Sequence, residues 1–202
     1  DDWRLTLSVP RVVINEVHYN PASSTDAEEF IEIVNADAEA VDASGWRLTE
    51  FGSPGCTFPA GSVLQPGDFL VCAKDPAALR AATGYLTAHS WGLGDSLSNG
   101  GEPIALLDAD GTIVDRIEYD DAAPWPAGPD GPDGNGPSME LVNPGLDNAE
   151  GRSWRASAAA NGTPGVANSV LDSAPAVAGE EPRRGTIVVG LSEISVTFSA
   201  PV

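Results

Sequence analysis

Glycine and proline, 22 and 17 of the 202 residues, cut this chain into short segments. Neither residue suits a helix interior, and proline also removes a donor from any sheet ladder. Between the cuts, apolar and polar residues alternate with the period of strands buried on one face. The alternation is clear in WRLTLSV over 3–9 and in FIEIV over 30–34, and 12–19 is an apolar-rich strand. Further strands are expected at 46–49, 57–58, 69–73, 104–107 and 112–119. Asp108-Ala109-Asp110-Gly111 between the last two reads as a tight hairpin turn. A single helix is expected, over 75–82, with Asp75 as its N-cap and Pro76 in its first position. Short strands at this spacing specify an all-β sandwich or barrel.

Residues 120–137 (DDAAPWPAGPDGPDGNGP) carry five prolines and cannot form a central strand, so they are expected as an ordered loop. Trp125 within it is the aromatic expected to be exposed, and is the candidate contact residue. Asp130, Asp133 and Asn135 place oxygen ligands close together in sequence, as calcium sites do, although the spacing is not that of an EF-hand and Asp-Gly pairs are ordinary turn formers. Asn161-Gly162-Thr163 matches a glycosylation sequon. After Asn168 the composition becomes small, polar and proline-containing. Residues 1–168 are therefore expected to form the main domain and 169–185 a linker. Residues 186–202, with strands at 186–189 and 194–198, are expected to open a second module or to form a terminal strand pair.

Charge narrows the partners. Thirty acidic residues against ten basic ones leave a net charge of −20, spread along the whole chain, and Lys74 is the only lysine. Such a coat disfavours nucleic acid and anionic membrane surfaces, and no apolar run approaches the roughly 18 residues of a membrane span. It keeps a surface hydrated, and it makes calcium the one cofactor worth considering. Cys56 and Cys72 are 16 apart in strand-like segments. They form a disulfide if the register brings them together and are two buried thiols otherwise; a composition suited to an extracellular protein favours the bond. No CxxC, HExxH, GxSxG or phosphate loop is present. His18, on a strand near Glu16 and Glu32, reads as a structural histidine. Glu29 and Glu32 are three apart and point to opposite sheet faces, so they are not a catalytic pair.

Residues 11 to about 168 resemble the lamin-tail domain family. The matching segments occur in the family's order: VINEVHYNP from Val13, EEFIEIVN at 28–35, SGWRLTE at 44–50, FPAGSVLQPGDFLVCA at 58–73, WGLGDSLSNGGEPIALLDADGTIVDRIEY at 91–119, DGNGPSMELVNPG at 133–145, SW at 153–154 and GTPGVAN at 162–168. NEVHYNP, SMEL and GTPGVAN are marks of its bacterial, extracellular version. The resemblance implies an immunoglobulin-like β-sandwich, with Trp46 in its core and with Asn15 and Glu16 as polar residues that tie a loop to the sandwich. GLSEISVTFSAPV at 190–202 resembles the start of a bacterial immunoglobulin-like repeat.

The resulting expectation is a non-catalytic module, secreted or at the cell surface. It would mediate contact, adhesion or spacing with neighbouring domains of the same polypeptide or with other surface proteins, without nucleic acid and without membrane insertion. One alternative is a calcium-dependent carbohydrate- or surface-binding module using Trp125 and the loop at 130–135. Another, implied by the family, is the companion domain of a secreted nuclease or kinase-like protein.

Overall fold

The strand expected over 69–73 forms at those bounds, Phe69–Ala73, and the other long segments form strands within a residue or two of the expected ones. The computed structural model describes residues 11–172 apart from 24 and 52–54, together with 177–181 and 195–198. The strands expected over 3–9 and 186–189 lie outside the described residues. In chain order the strands are β1 (Val12–His18), β2 (Phe30–Asn35), β3 (Val41–Asp42), β4 (Arg47–Thr49), β5 (Cys56–Thr57), β6 (Val63–Leu64), β7 (Phe69–Ala73), β8 (His89–Ser90), β9 (Glu102–Leu107), β10 (Ile113–Tyr119), β11 (Met139–Leu141) and β12 (Trp154–Ala156). Helix α1 (Pro76–Thr83) stands between β7 and β8. Its start follows local chemistry: Asp75 accepts a hydrogen bond from the Ala77 amide at 2.9 Å, and Pro76 occupies a position where the missing N–H costs nothing.

Six strands form one sheet in the order β12-β11-β1-β2-β7-β8, four form a second in the order β10-β9-β4-β5, and β3 pairs with β6 as a short ribbon. The sheets are antiparallel except that β7 and β8 run parallel, joined through α1. The result is a β-sandwich of immunoglobulin-like character. Ile14, Ile31, Ile33 and Leu141 from the first sheet share one core with Leu48, Ile104, Leu106 and Ile117 from the second, and Trp46 is buried with them. A smaller cluster of Phe30, Val71, Ala73 and Leu79 lies under α1, on the other face of the six-stranded sheet.

Two polar or covalent ties hold the layers together. Cys56 on β5 and Cys72 on β7 form a disulfide with Cα atoms 6.3 Å apart, both side chains buried. Asp115 on β10 accepts the Ile14 amide of β1 and the Asn148 amide nitrogen, each at 2.7 Å. Ile14 stands where the β1–β2 register slips. Asp115 thus satisfies a donor freed by that bulge, as buried amides require.

The six-stranded sheet is completed by β11 and β12, so the sandwich runs on beyond residue 150. Past residue 176, a strand β13 (Val177–Glu181) pairs antiparallel with β14 (Ser195–Phe198). β13 lies inside the span 169–185 expected as linker. Composition marked that span by its alanines, glycine and proline, and a strand with a distant partner leaves little trace there.

Candidate functional site

Three glutamates meet on the face of the six-stranded sheet turned away from the core. Glu16 on β1 stands opposite Glu32 of β2 on one side and opposite Glu140 of β11 on the other. Residues directly opposite in adjacent strands put their side chains on the same face, where like charges repel. All three are fully buried. The bulge in β1 also lets Asn15 reach this face, where its Nδ2 donates to Glu32 Oε1 at 2.9 Å and to Asn168 Oδ1 at 2.8 Å.

The cover is the segment 157–170, and its own polar groups answer the carboxylates. Glu16 Oε1 accepts the Ser138 hydroxyl and, at 2.8 Å, the Thr163 amide. Glu32 Oε2 accepts the Gly165 amide at 2.6 Å. Glu140 accepts the Thr163 hydroxyl at 2.8 Å on one oxygen; the other accepts the Ser169 hydroxyl at 2.8 Å and the Val170 amide at 3.1 Å. Asn168 Nδ2 donates to the Leu141 carbonyl at 2.8 Å. Asn15 and Glu16 therefore do tie a loop to the sandwich, and Thr163 of the sequon is engaged beneath it. Gly162 and Gly165 allow the close crossing. Both have positive φ, and a Cβ on Gly162 would meet Glu16 and Ser138 while one on Gly165 would strike the Tyr85 ring.

Burial dominates the electrostatics. It pushes the Glu16 carboxyl up to about 8, against the pull of Ser138 and Thr163, and holds Glu32 well above the carboxylate range, with the Glu16 charge adding to the effect. Glu29 is likewise pushed up to about 8 by burial. One of its oxygens accepts the Leu97 amide at 2.9 Å, and the other has no partner. His18 is driven down to about 4 by burial and stacks edge-on against Phe30 at 5.5 Å. Neither of its ring nitrogens makes a hydrogen bond; the backbone of Gly136 and Glu28 lies near without bonding geometry. Both side chains are fully buried.

Trp125 corrects an expectation. It is only 8% exposed and packs against Trp154 with ring centroids 5.8 Å apart, as part of the main core. The proline-rich loop, unable to join a sheet, folds back and plugs the end of the sandwich with its indole. Gly151 makes room, since a Cβ there would lie 2.9 Å from Trp125 Cγ. Trp125 thus cannot serve as an exposed platform. Its edge, with Tyr119, Glu102, Glu118 and Asp120, borders an open surface cleft of about 470 Å³.

Asp130, Asp133 and Asn135 are exposed turn residues. Asp133 accepts Asn20 Nδ2 at 2.6 Å, and Asn135 Nδ2 donates to the carbonyls of Gly131 and Asp133 at 3.2 and 3.0 Å. Two of the three side chains are thus committed to bracing the loop. Among the described residues, no three His, Cys, Asp or Glu side chains are grouped to hold a metal ion. The glutamate cluster is shut off from any substrate.

A β-sandwich whose glutamate cluster is closed beneath its own chain defines the class of module. The sequence profile of the Lamin Tail Domain matches residues 6–121, more than half of the 202, and the chain belongs to the lamin tail domain family. No curated protein matches it. Among the described residues no helix is long and apolar enough to cross a membrane.

Proposed function

We propose that this domain is a scaffold: a bacterial, secreted or surface-borne module that sets contact and spacing between neighbouring domains of one polypeptide or with other surface proteins. The closed outer face carries this reading. Glu16, Glu32 and Glu140, the groups most suited to chemistry, are bonded to the covering segment and not turned toward a ligand. A buried disulfide between the two sheets favours an oxidising compartment. The net charge of −20 disfavours nucleic acid as a partner. The strand pair β13–β14 after the sandwich suits the opening of a following module, in line with the immunoglobulin-like repeat that 190–202 resembles. A role beside a secreted nuclease or kinase-like neighbour is a special case of the same reading.

The competing reading is a calcium-dependent carbohydrate- or surface-binding module built on Asp130, Asp133 and Asn135, and these side chains are exposed enough to be offered. Calcium at a hundred times its dissociation constant would stabilise the fold by about 2.7 kcal/mol, several degrees in Tm. On the scaffold reading, neither calorimetric titration with calcium chloride nor a melting curve with and without chelator shows a response, and a glycan array in calcium gives no saturable binding. A saturable heat, a chelator-reversible rise in Tm or a bound glycan overturns it.

A further inference from the structure

We propose that the segment 157–170 is a strap locked by protons held on Glu16 and Glu32 where they meet Glu140, closed at neutral and acidic pH and released as the solution becomes alkaline. The geometry calls for a shared proton. The Thr163 hydroxyl sits between Glu140 Oε1 at 2.8 Å and Glu16 Oε2 at 3.4 Å, and it has one hydrogen to give. With that hydrogen on Glu140, the approach to Glu16 becomes a hydrogen bond only if the Glu16 carboxyl carries a proton and donates it to the Thr163 oxygen. Without it, Glu16, Glu32 and Glu140 are three carboxylates facing each other across adjacent strands, out of water, with no basic partner within the cluster.

Among the described residues, no other group around the cluster supplies that missing charge. The strap itself has no ionisable side chain. β7 presents Val71 opposite Glu32. β12 places Arg155 opposite Glu140, but its guanidinium donates to the carbonyls of Arg152 and Trp154. Tyr85, packed on Gly165, has its phenol raised by burial first and by the Glu32 charge. His18, two residues along β1, is neutral over the range concerned. Its own burial cost grows only as pH falls from about 6.5 to 4. For Glu16, with a folded value of about 8 against an ordinary 4.5, the sign is opposite. The cost of closure is absent below about pH 4.5, grows as pH rises, and is complete above about 8.

Release would matter because the strap leads directly into 171–181. Freeing residues 157–170, 14 in all, would lengthen the tether to β13 by up to about 45 Å of extended chain. The spacing set by such a module would then depend on pH.

The test uses the whole chain. Elastase cleavage within 157–170, with cut sites read by mass spectrometry, is compared with cleavage of an unstructured peptide of the same sequence. The ratio is expected to rise about tenfold or more between pH 6.5 and 9, as one pKa unit of bias dictates. The rise should vanish in the Glu16→Gln, Glu32→Gln double variant. A flat ratio in the native chain, or the same rise in the variant, overturns the proposal. Should the variant not fold, carboxyl carbon resonances of the native chain decide. Glu16 and Glu32 titrating above pH 7, together with the rise in cleavage, support the strap; titration with the surface glutamates near pH 4.5 overturns it.

Discussion

Trp154→Ala is expected to destabilise the domain by about 3–5 kcal/mol, the range for removing a large buried aromatic. Trp154 is 1% exposed and closes the end of the core against Trp125. Its Nε1 donates to the Asn148 carbonyl at 2.8 Å, while Asn148 Nδ2 reaches the Ile14 carbonyl at 3.1 Å and Asp115 at 2.7 Å. One indole therefore holds the asparagine that ties both sheets together. Truncation would leave a cavity and let Asn148 drift, so the loss falls on packing and on a buried polar network at once. Trp154→Phe separates the two: it keeps most of the apolar volume but leaves the Asn148 carbonyl without its donor, at a cost of about 1–3 kcal/mol. Urea unfolding followed by tryptophan fluorescence measures both. A loss below about 1 kcal/mol for the alanine variant would show that the end of the sandwich is loosely packed.

The long strands and α1 were legible because their signals are local. Asp75-Pro76 supplies an N-cap and a first-turn proline, and 69–73 is an unbroken apolar run bounded by turn residues. β11 and β12 were not, because Met139–Leu141 and Trp154–Ala156 are three residues each and owe their strand character to pairing with β1 and with each other. Trp125 failed for a related reason. A proline-rich, acidic loop reads as exposed, whereas the partners that bury the indole, Gly151 and Trp154, come from more than 25 residues away. The glutamate cluster did leave a trace. Glu32 lies between Phe30 and Val34 on the same side of the alternation, so a charge stood on a face whose neighbours are apolar. That pattern distinguishes a buried carboxylate from a solvated one, but it cannot reveal that Glu16 and Glu140 stand opposite. Register is needed for that, and a bulge at Asn15 alters it.

Reducing the Cys56–Cys72 bond is expected to cost about 3 kcal/mol, the chain-entropy value for a loop of this length. The two sulfurs join β5 of one sheet to β7 of the other, so the cross-link spans the layers and not merely a hairpin. It fixes the approach of the sheets beside His89, whose ring meets Phe58 edge-on at 5.5 Å, with β8 parallel to β7 at Cys72. β5 is only two residues long and sits at the edge of its sheet, with few ladder bonds of its own to hold it. Much of its attachment therefore passes through Cys56. The double variant Cys56→Ala, Cys72→Ala tests this in urea against the oxidised chain. The midpoint should fall, and the slope of unfolding free energy against urea should steepen, because a denatured chain without the cross-link exposes more surface. A change in midpoint worth less than about 0.5 kcal/mol would mean that the core alone holds the sheets together. In that case the bond would record the compartment in which the protein matures and add little to its stability.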